Sequence, residues 1–184
     1  MVTQRVFDSR NFLSYAEKMN ACFFSPDRAY RYLLIHKWNG LFPERACMWI
    51  GLNPSIADEL KLDNTLRRIR GFSAAAGFNS FYMTNLFALV ATDPKVIKAH
   101  PAPIGPENDK HIVRGLKKVT TVFVAWGTHG NHFDRERQVF ALLCDHQVRC
   151  LAVTREGCPQ HPLYLKRTLR PIPYLLKESR TRTR

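Results

Sequence analysis

The sequence predicts an α/β fold, a three-layer α/β/α sandwich with a central four-stranded, mainly parallel sheet. Two observations lead to this prediction. Short apolar runs that are typical of buried strands alternate with segments of helical spacing. Polar segments follow the four central runs, as expected where the carboxyl ends of parallel strands form one ligand-binding edge. We expect a single domain over residues 1–184, with an N-terminal extension at 1–28 and a basic tail at 166–184.

The elements follow from local composition. Aromatic and branched residues at 30–38 predict a strand. Four nearly continuous apolar runs predict the buried parallel strands, at 46–53, 81–87, 120–127 and 148–153. Helical spacing predicts three helices, at 63–76, 107–118 and 134–144. The proline-rich stretch 92–106 predicts an ordered loop.

The charge of the chain is strongly positive. Lysine and arginine number 28 against 15 acidic residues, which leaves +13. Such an excess favours a polyanionic partner, because each neutralised phosphate releases a condensed counterion. A basic but merely solvated surface is the alternative, and we favour nucleic acid. The excess is uneven, since 166–184 holds seven basic residues and one acid.

Other protein classes are disfavoured. No apolar run approaches the roughly 20 residues that span a membrane, and the first residues lack the pattern of a signal peptide. We therefore expect a cytoplasmic protein. The cysteines are scattered and form no closely spaced pair, so we expect reduced thiols without a disulfide framework or a metal site. They are Cys22, Cys47, Cys144, Cys150 and Cys158.

Five short motifs occur in one order between about residues 30 and 165. They are GLNPS at 51–55, NLFALVATDP at 85–94, GPEND at 105–109, AWG at 125–127 and HPLY at 161–164. In these motifs the chain resembles the uncharacterised DUF1643 family. Through GLNPS, the Asn85 strand and His161-Pro162 it also resembles the uracil-DNA glycosylase superfamily. That resemblance implies a uracil-DNA-glycosylase-like fold that flips a base out of DNA and hydrolyses its N-glycosidic bond without a cofactor.

The superfamily resemblance implies catalytic roles for the first and last motifs. Asn53 falls where the superfamily has an Asp or Asn that positions the hydrolytic water, and an amide orients water without acting as a base. Asp58 or Asp63 would then supply negative charge, although Asp63 equally fits a helix N-cap. His161 falls where an imidazole hydrogen-bonds the leaving base. A neutral ring suffices if the backbone holds its other nitrogen.

The same resemblance implies a pocket for a pyrimidine. Asn85 matches a strand-end Asn that reads the base edge. Ser55 stands where classical uracil enzymes carry a bulky aromatic residue that rejects a C5 methyl group, so we expect space for a C5 substituent unless Ile56 or Phe87 refills it. Phe87 either stacks on the base or belongs to the core. The expected base-binding residues are Gly51, Leu52, Pro54, Ser55, Asn85 and Phe87.

The segment after His161 is expected to contact DNA. Leu163 and Tyr164 match the wedge that fills the gap left by a flipped base. Phosphate contacts are expected from the turn residue and the cations beyond it, with a solvated face as the alternative for each cation. These residues are Pro162, Lys166, Arg167 and Arg170, with Arg67, Arg68 and Arg70 as further candidates.

Our leading hypothesis is a monomeric, monofunctional DNA glycosylase that removes a modified pyrimidine, such as a hypermodified phage base, in antiviral defence. No lysine lies in the motifs, so lyase chemistry is not expected. One alternative is a module that binds a DNA base without cutting. Others are a uracil or mismatch repair glycosylase and an enzyme of free nucleotides, which would not require +13.

Overall fold

The structure is a computed structural model that describes residues 20–38, 43–55 and 62–176. The strands are β1 (Asn20–Phe24), β2 (Arg31–Lys37), β3 (Ala46–Gly51), β4 (Ser80–Asn85), β5 (Thr121–Val124), β6 (Gln147–Cys150) and β7 (Ile172–Pro173). The helices are α1 (Asn64–Ala75), α2 (Pro94–Ala99), α3 (Asn108–Leu116) and α4 (Arg135–Ala141). Short 3-10 turns occupy Gly127–His129, His132–Asp134 and Pro162–Tyr164.

The strands form one mixed sheet of seven strands in the order β1-β2-β4-β3-β5-β6-β7. Strands β4, β3, β5 and β6 run parallel, whereas β1, β2 and β7 pair antiparallel at the two sides. The α/β class is confirmed, but the prediction of a four-stranded sheet is wrong. The edge strand β7 escaped prediction because it has only two residues, both exposed, and β1 has a single buried position among its five residues.

Helices cover both faces of the sheet. Side chains of β3 alternate between the faces, as the period of a strand requires. Met48 and Ile50 pack in a cluster that includes residues of α3 and α4, while Cys47 and Trp49 pack against α1. The nearly unbroken apolar run of β3 therefore reflects burial on both faces. We call the side that carries α1 the α1 face.

The proline-rich stretch contains a helix that the sequence prediction missed. Helix α2 begins at Pro94, and the preceding Asp93 caps it by accepting a hydrogen bond from the Lys95 amide at 2.8 Å. Proline at the first helical position and aspartate at the N-cap are both favourable there. The six-residue helix is too short to show helical periodicity, so composition alone indicated a loop.

No helix in the described ranges is long and apolar enough to cross a membrane. All five cysteines lie in the described ranges and are free thiols. Cys47 and Cys150 are buried, whereas Cys144 is exposed. Within the same ranges, no group of three or more His, Cys, Asp or Glu side chains could hold a metal ion.

The buried His111 of α3 makes stability depend on pH. Its ring stacks on Tyr32 at 5.0 Å. Burial, with a smaller contribution from Arg114, lowers the His111 pKa from 6.5 to about 4. The unfolded chain therefore takes up a proton near pH 6.5, which the folded chain resists. Stability from neutral His111 is complete above pH 6.5 and is lost as the pH falls toward 4.

We expect the free energy of unfolding to fall by about 3 kcal/mol over that interval through His111. Urea unfolding at stepwise pH measures it, with His111→Phe as the comparison, because phenylalanine keeps a ring but cannot titrate. The variant should show a flatter profile between pH 6.5 and 4. Equal slopes for the two proteins would contradict the assignment.

Candidate functional site

The loops that leave the parallel strands meet at the carboxyl edge of the sheet. The Leu86 amide, after β4, donates to the Gly51 carbonyl at the end of β3 at 2.9 Å. The Gly127 amide, after β5, donates to the Pro159 carbonyl in the loop after β6 at 2.8 Å. These bonds confirm that the polar segments after the strands lie together, as the topology of parallel strands requires. We call this region the crevice.

Asn53 lies in the loop after β3 and is tied to the loop after β4. Its Nδ2 donates to the Ala91 carbonyl at 2.6 Å and to the Pro54 carbonyl at 3.2 Å. With the amide nitrogen committed, Oδ1 is the polar atom that can accept a hydrogen bond from water. An aspartate at this position would place an oxygen against the Ala91 carbonyl, which gives a structural reason for asparagine here.

Asp63 joins the loop after β3 to the start of α1. Its Oδ1 accepts from the Leu66 amide at 2.7 Å, so the N-cap interpretation is confirmed. Its Oδ2 accepts from the Ser55 hydroxyl at 2.7 Å. Both carboxylate oxygens are therefore engaged in holding the crevice together. Asp58, the other candidate carboxylate, lies outside the described residues.

His161 stands at the N-cap of the turn Pro162–Tyr164. Its Nδ1 accepts a hydrogen bond from the Leu163 amide at 3.3 Å. Burial lowers the His161 pKa, and the nearby Asp63 carboxylate offsets this in part. The ring is therefore neutral at pH 7, and a neutral ring that accepts at Nδ1 carries its proton on Nε2. The backbone thus fixes the tautomer in which Nε2 is a donor.

Arg68 of α1 braces the turn that carries His161. Its Nε donates to the Pro162 carbonyl at 3.4 Å, and its guanidinium also donates to the Leu165 carbonyl. The guanidinium lies over the Phe72 ring, 5.0 Å from its centroid. The sequence suggested phosphate binding for Arg68, whereas the structure gives it a positioning role. This brace connects the loop after β6 to the helix that begins at the crevice.

Asn85 ends β4 on the α1 face and is 1% exposed. Its Oδ1 is buried and has no hydrogen-bond partner among the described residues. An unsatisfied buried acceptor costs about 1–3 kcal/mol, so such an atom calls for a bound water or ligand group. Gly51 faces Asn85 in the parallel register. A Cβ on Gly51 would lie 2.7 Å from Asn85 Oδ1 and 2.8 Å from Met83 Cε.

We expect Gly51→Ala to destabilise the protein by about 1–3 kcal/mol and to displace the Asn85 side chain, because the added methyl group overpacks the strand ends. Gly71→Ala is the matched control, since a Cβ there meets nothing within 4 Å. The control should gain about 0.5–1 kcal/mol, because alanine is favoured over glycine inside a helix. Thermal unfolding of both variants measures this, and equal stability of the two would contradict the packing.

Arg31 was not anticipated as a crevice residue. Arg31 is the first residue of β2 and is 3% exposed. Burial lowers its pKa, and electrostatic attraction to the nearby Asp63 opposes part of that lowering. The β1–β2 register shifts between Phe23 and Phe24, so that Tyr32 has no direct partner on β1. Such a bulge re-aims neighbouring side chains. No local sequence pattern indicates this bulge, because bulges arise from long-range pairing.

Asn108 and Asp109 support the end of β4. Asn108 Nδ2 donates to the carbonyls of Asn85 and Leu86, both at 3.0 Å. The buried Arg135 donates from Nε to the Leu86 carbonyl at 2.9 Å and forms an ion pair with Asp109. This network explains Asn108 and Asp109 of the GPEND motif, for which the sequence suggested no role. For Arg135, the sequence indicated only a position near the start of a predicted helix.

The remaining predicted residues divide between core and surface. Phe87 is fully buried, with its ring 5.8 Å from that of His132, which favours the core role over base stacking. Trp126 also lies in the core. Pro54 and Pro162 are buried, and Leu52 and Leu163 are half-buried. Tyr164 is 87% exposed beside the turn. Three cations beyond it are exposed, namely Lys166, Arg167 and Arg170.

Comparison with known proteins identifies the family. Residues 31–163 match the family described as "Protein of unknown function (DUF1643)". The match covers more than half of the 184 residues and includes Asn53, Asn85 and His161. No curated protein and no solved structure matches the chain. The resemblance noted from the five motifs is thereby confirmed, and the chain belongs to the DUF1643 family.

Proposed function

We propose that this protein is a DNA glycosylase that hydrolyses the N-glycosidic bond of a flipped, C5-substituted pyrimidine and leaves an abasic site. The observation that carries the proposal is the hydrogen bond from the Leu163 amide to His161 Nδ1, at 3.3 Å. The Leu163 amide holds Nδ1, so Nε2–H is a neutral donor at the crevice. Such a donor stabilises the negative charge that leaves with the base. The likeness of the fold to the uracil-DNA glycosylase superfamily is part of this proposal.

The proposed reaction is the displacement of the base by water. The bond between the sugar C1′ and the base nitrogen breaks, and its electron pair leaves with the base while His161 hydrogen-bonds the base oxygen. Water oriented by Asn53 Oδ1 forms the new bond to C1′. The attacking water releases one proton to solvent and keeps the other in the new C1′ hydroxyl, and the released base anion takes up one proton from solvent. Because an amide is not a base, positive charge develops on the sugar before the water attacks.

The proposed substrate rests on the short side chain of Ser55. The Ser55 hydroxyl donates a hydrogen bond to Asp63 at 2.7 Å, and this bond fixes the direction of the side chain. Phe87, one of two residues that could have refilled the space, lies in the core instead. Ile56, the other, lies outside the described residues. Room beside C5 would admit the hypermodified pyrimidines of phage DNA, which supports a role in antiviral defence.

The proposed partner is DNA, bound by a cytoplasmic monomer. The net charge of +13 favours a polyphosphate. Tyr164 is 87% exposed and follows the His161 turn, which suits an aromatic wedge that fills the gap left by a flipped base. Lys166, Arg167 and Arg170 are exposed just beyond it and can reach phosphates.

A base-binding module without catalysis is the second candidate. The observation that favours it is the engagement of both Asp63 oxygens, by Leu66 and Ser55. Asp63 is therefore engaged in holding the loop and the helix start, and it is not poised as a general base. In this case the protein would bind DNA tightly and with a steep salt dependence, but no base would be released.

A substrate panel tests the proposal. Purified protein is incubated with uracil-containing, U:G or T:G mismatched, and unmodified DNA, and with phage DNA that carries hydroxymethylated or glucosylated pyrimidines. Alkali then reveals abasic sites. We expect cleavage of the C5-substituted DNA alone. Cleavage of uracil or mismatched DNA instead would indicate a repair enzyme, and tight binding without any cleavage would favour the binding module.

A further inference from the structure

A groove of about 570 Å³ lies between the outer side of α1 and the His161 turn. Arg67, Arg68 and Arg167 contribute three guanidinium groups to it, while Phe72 and Leu163 supply apolar surface. Gly71 leaves the side of α1 open. None of the described residues that line the groove is acidic. The groove therefore has the charge of a site for phosphates and not for a cationic partner.

The groove leads away from the crevice. Helix α1 begins beside the crevice, because Asp63 caps it and also binds Ser55. Gly71 lies seven residues after Asn64, which corresponds to about 10 Å along the helix. One strand of B-form DNA rises about 3.4 Å per nucleotide, so this length matches about three nucleotides. A strand with one nucleotide in the crevice could continue along α1.

The three arginines are not equivalent in the groove. Arg68 is committed to the carbonyls of Pro162 and Leu165, so it fixes the wall formed by the turn. Arg67 and Arg167 are exposed. Arg67 Nη1 donates to Asn64 Oδ1 at 3.3 Å. These two cations stand on opposite walls, one on the helix and one beyond the turn, which is an arrangement that can grip a chain of phosphates.

We propose that this groove binds the phosphodiester backbone of the DNA strand that leaves the crevice, with Arg67 and Arg167 neutralising its phosphates. The inference deepens the proposed function, since it rests on DNA as the partner. It does not depend on cleavage. It assigns α1 to DNA binding, in addition to the segment that follows His161.

Gly71 allows a test in which only charge changes. A side chain at Gly71 enters open space, because a Cβ there meets nothing within 4 Å. Gly71→Asp and Gly71→Asn are nearly equal in size, and only the first places a negative charge in the groove. Ala141→Asp is the control for net charge, because Ala141 is exposed at the end of α4 on the opposite face of the sheet.

Fluorescence anisotropy with labelled single-stranded and duplex oligonucleotides measures affinity at stepwise salt. We expect Gly71→Asp to weaken binding at least about tenfold relative to Gly71→Asn, through loss of phosphate binding. In an Arg67→Gln, Arg167→Gln double variant, the slope of log K against log salt should fall in magnitude by about 1.8 for duplex or about 1.4 for single strands. The oligonucleotide whose slope responds to the double substitution is the form that occupies the groove.

Two results would overturn the inference alone. They are equal affinities of Gly71→Asp and Gly71→Asn, and an equally large loss in Ala141→Asp. In either case the wild-type protein still binds DNA, so the proposed function stands. If the wild-type protein binds neither oligonucleotide at about 50 mM salt, where phosphate binding is strong, the groove assignment and the proposed DNA partner fail together.

Discussion

His161→Ala is expected to reduce abasic-site formation at least about 100-fold, because it removes the neutral Nε2–H donor to the leaving base. DNA affinity should change little, since the exposed cations and Tyr164 are retained. The measurement is the single-turnover rate on the substrate that the panel identifies, with affinity determined in parallel. A loss of rate without a loss of affinity places His161 in the chemical step.

His100→Ala is a closely matched control for this variant. His100 Nδ1 accepts from the Ala102 amide at 3.1 Å, the same local arrangement that His161 forms with Leu163. Both substitutions therefore delete an imidazole and release an amide two residues ahead. The His100 variant should keep the wild-type rate. A His161 variant that also cleaves at the wild-type rate would remove the main support for the proposed chemistry.

Asp109→Ala is expected to lower the free energy of unfolding by about 3–5 kcal/mol, because it leaves a buried guanidinium without its counterion. The Arg135 side chain is 2% exposed and pairs with Asp109, whose own side chain is 58% exposed. Solvent screening on the Asp109 side therefore places the loss at the lower end of that interval. Urea unfolding measures the effect. Asp145→Ala is the control, since Asp145 is exposed on the loop before β6 and the same substitution there should cost less than about 0.5 kcal/mol.

A double substitution distinguishes the ion pair from simple loss of packing. Adding Arg135→Met to Asp109→Ala removes the buried charge along with its partner, so part of the lost stability should return. The Leu86 carbonyl keeps its bond from Asn108 Nδ2 at 3.0 Å in the double variant. Strictly additive losses would show that the Asp109–Arg135 pair contributes no coupling.

The centre of the fold could be predicted from sequence because burial on both faces leaves a local record. Strand β3 is apolar at nearly every position, and β4 carries the apolar residues 81–83. Such runs indicate parallel strands inside a sandwich. The edges could not be predicted. Strand β7 has only two residues, both exposed, and forms by pairing with β6, which no local pattern reports. Helix α2 could not be predicted either, because its six residues carry too little helical periodicity.

In the candidate site as well, local contacts could be predicted from the sequence, whereas contacts between distant segments could not. The requirement that backbone hold one nitrogen of His161 was stated from the sequence, and the Leu163 amide two residues later meets it. Contacts between distant segments were not visible in advance. The bond from Asn53 to Ala91 and the pair of Arg135 with Asp109 join residues 38 and 26 positions apart. Only the folded chain brings these groups together.

The most direct test of the account is to locate the oxygen that water contributes. The substrate DNA that the panel identifies is cleaved in ¹⁸O-labelled water. The abasic sugar is reduced at once to the alcohol, which keeps the C1′ oxygen, and the products are analysed by mass spectrometry. We expect a free modified pyrimidine without label and one ¹⁸O in the reduced abasic sugar. An unlabelled sugar, or intact DNA with no base released, would contradict hydrolysis of the N-glycosidic bond by this protein.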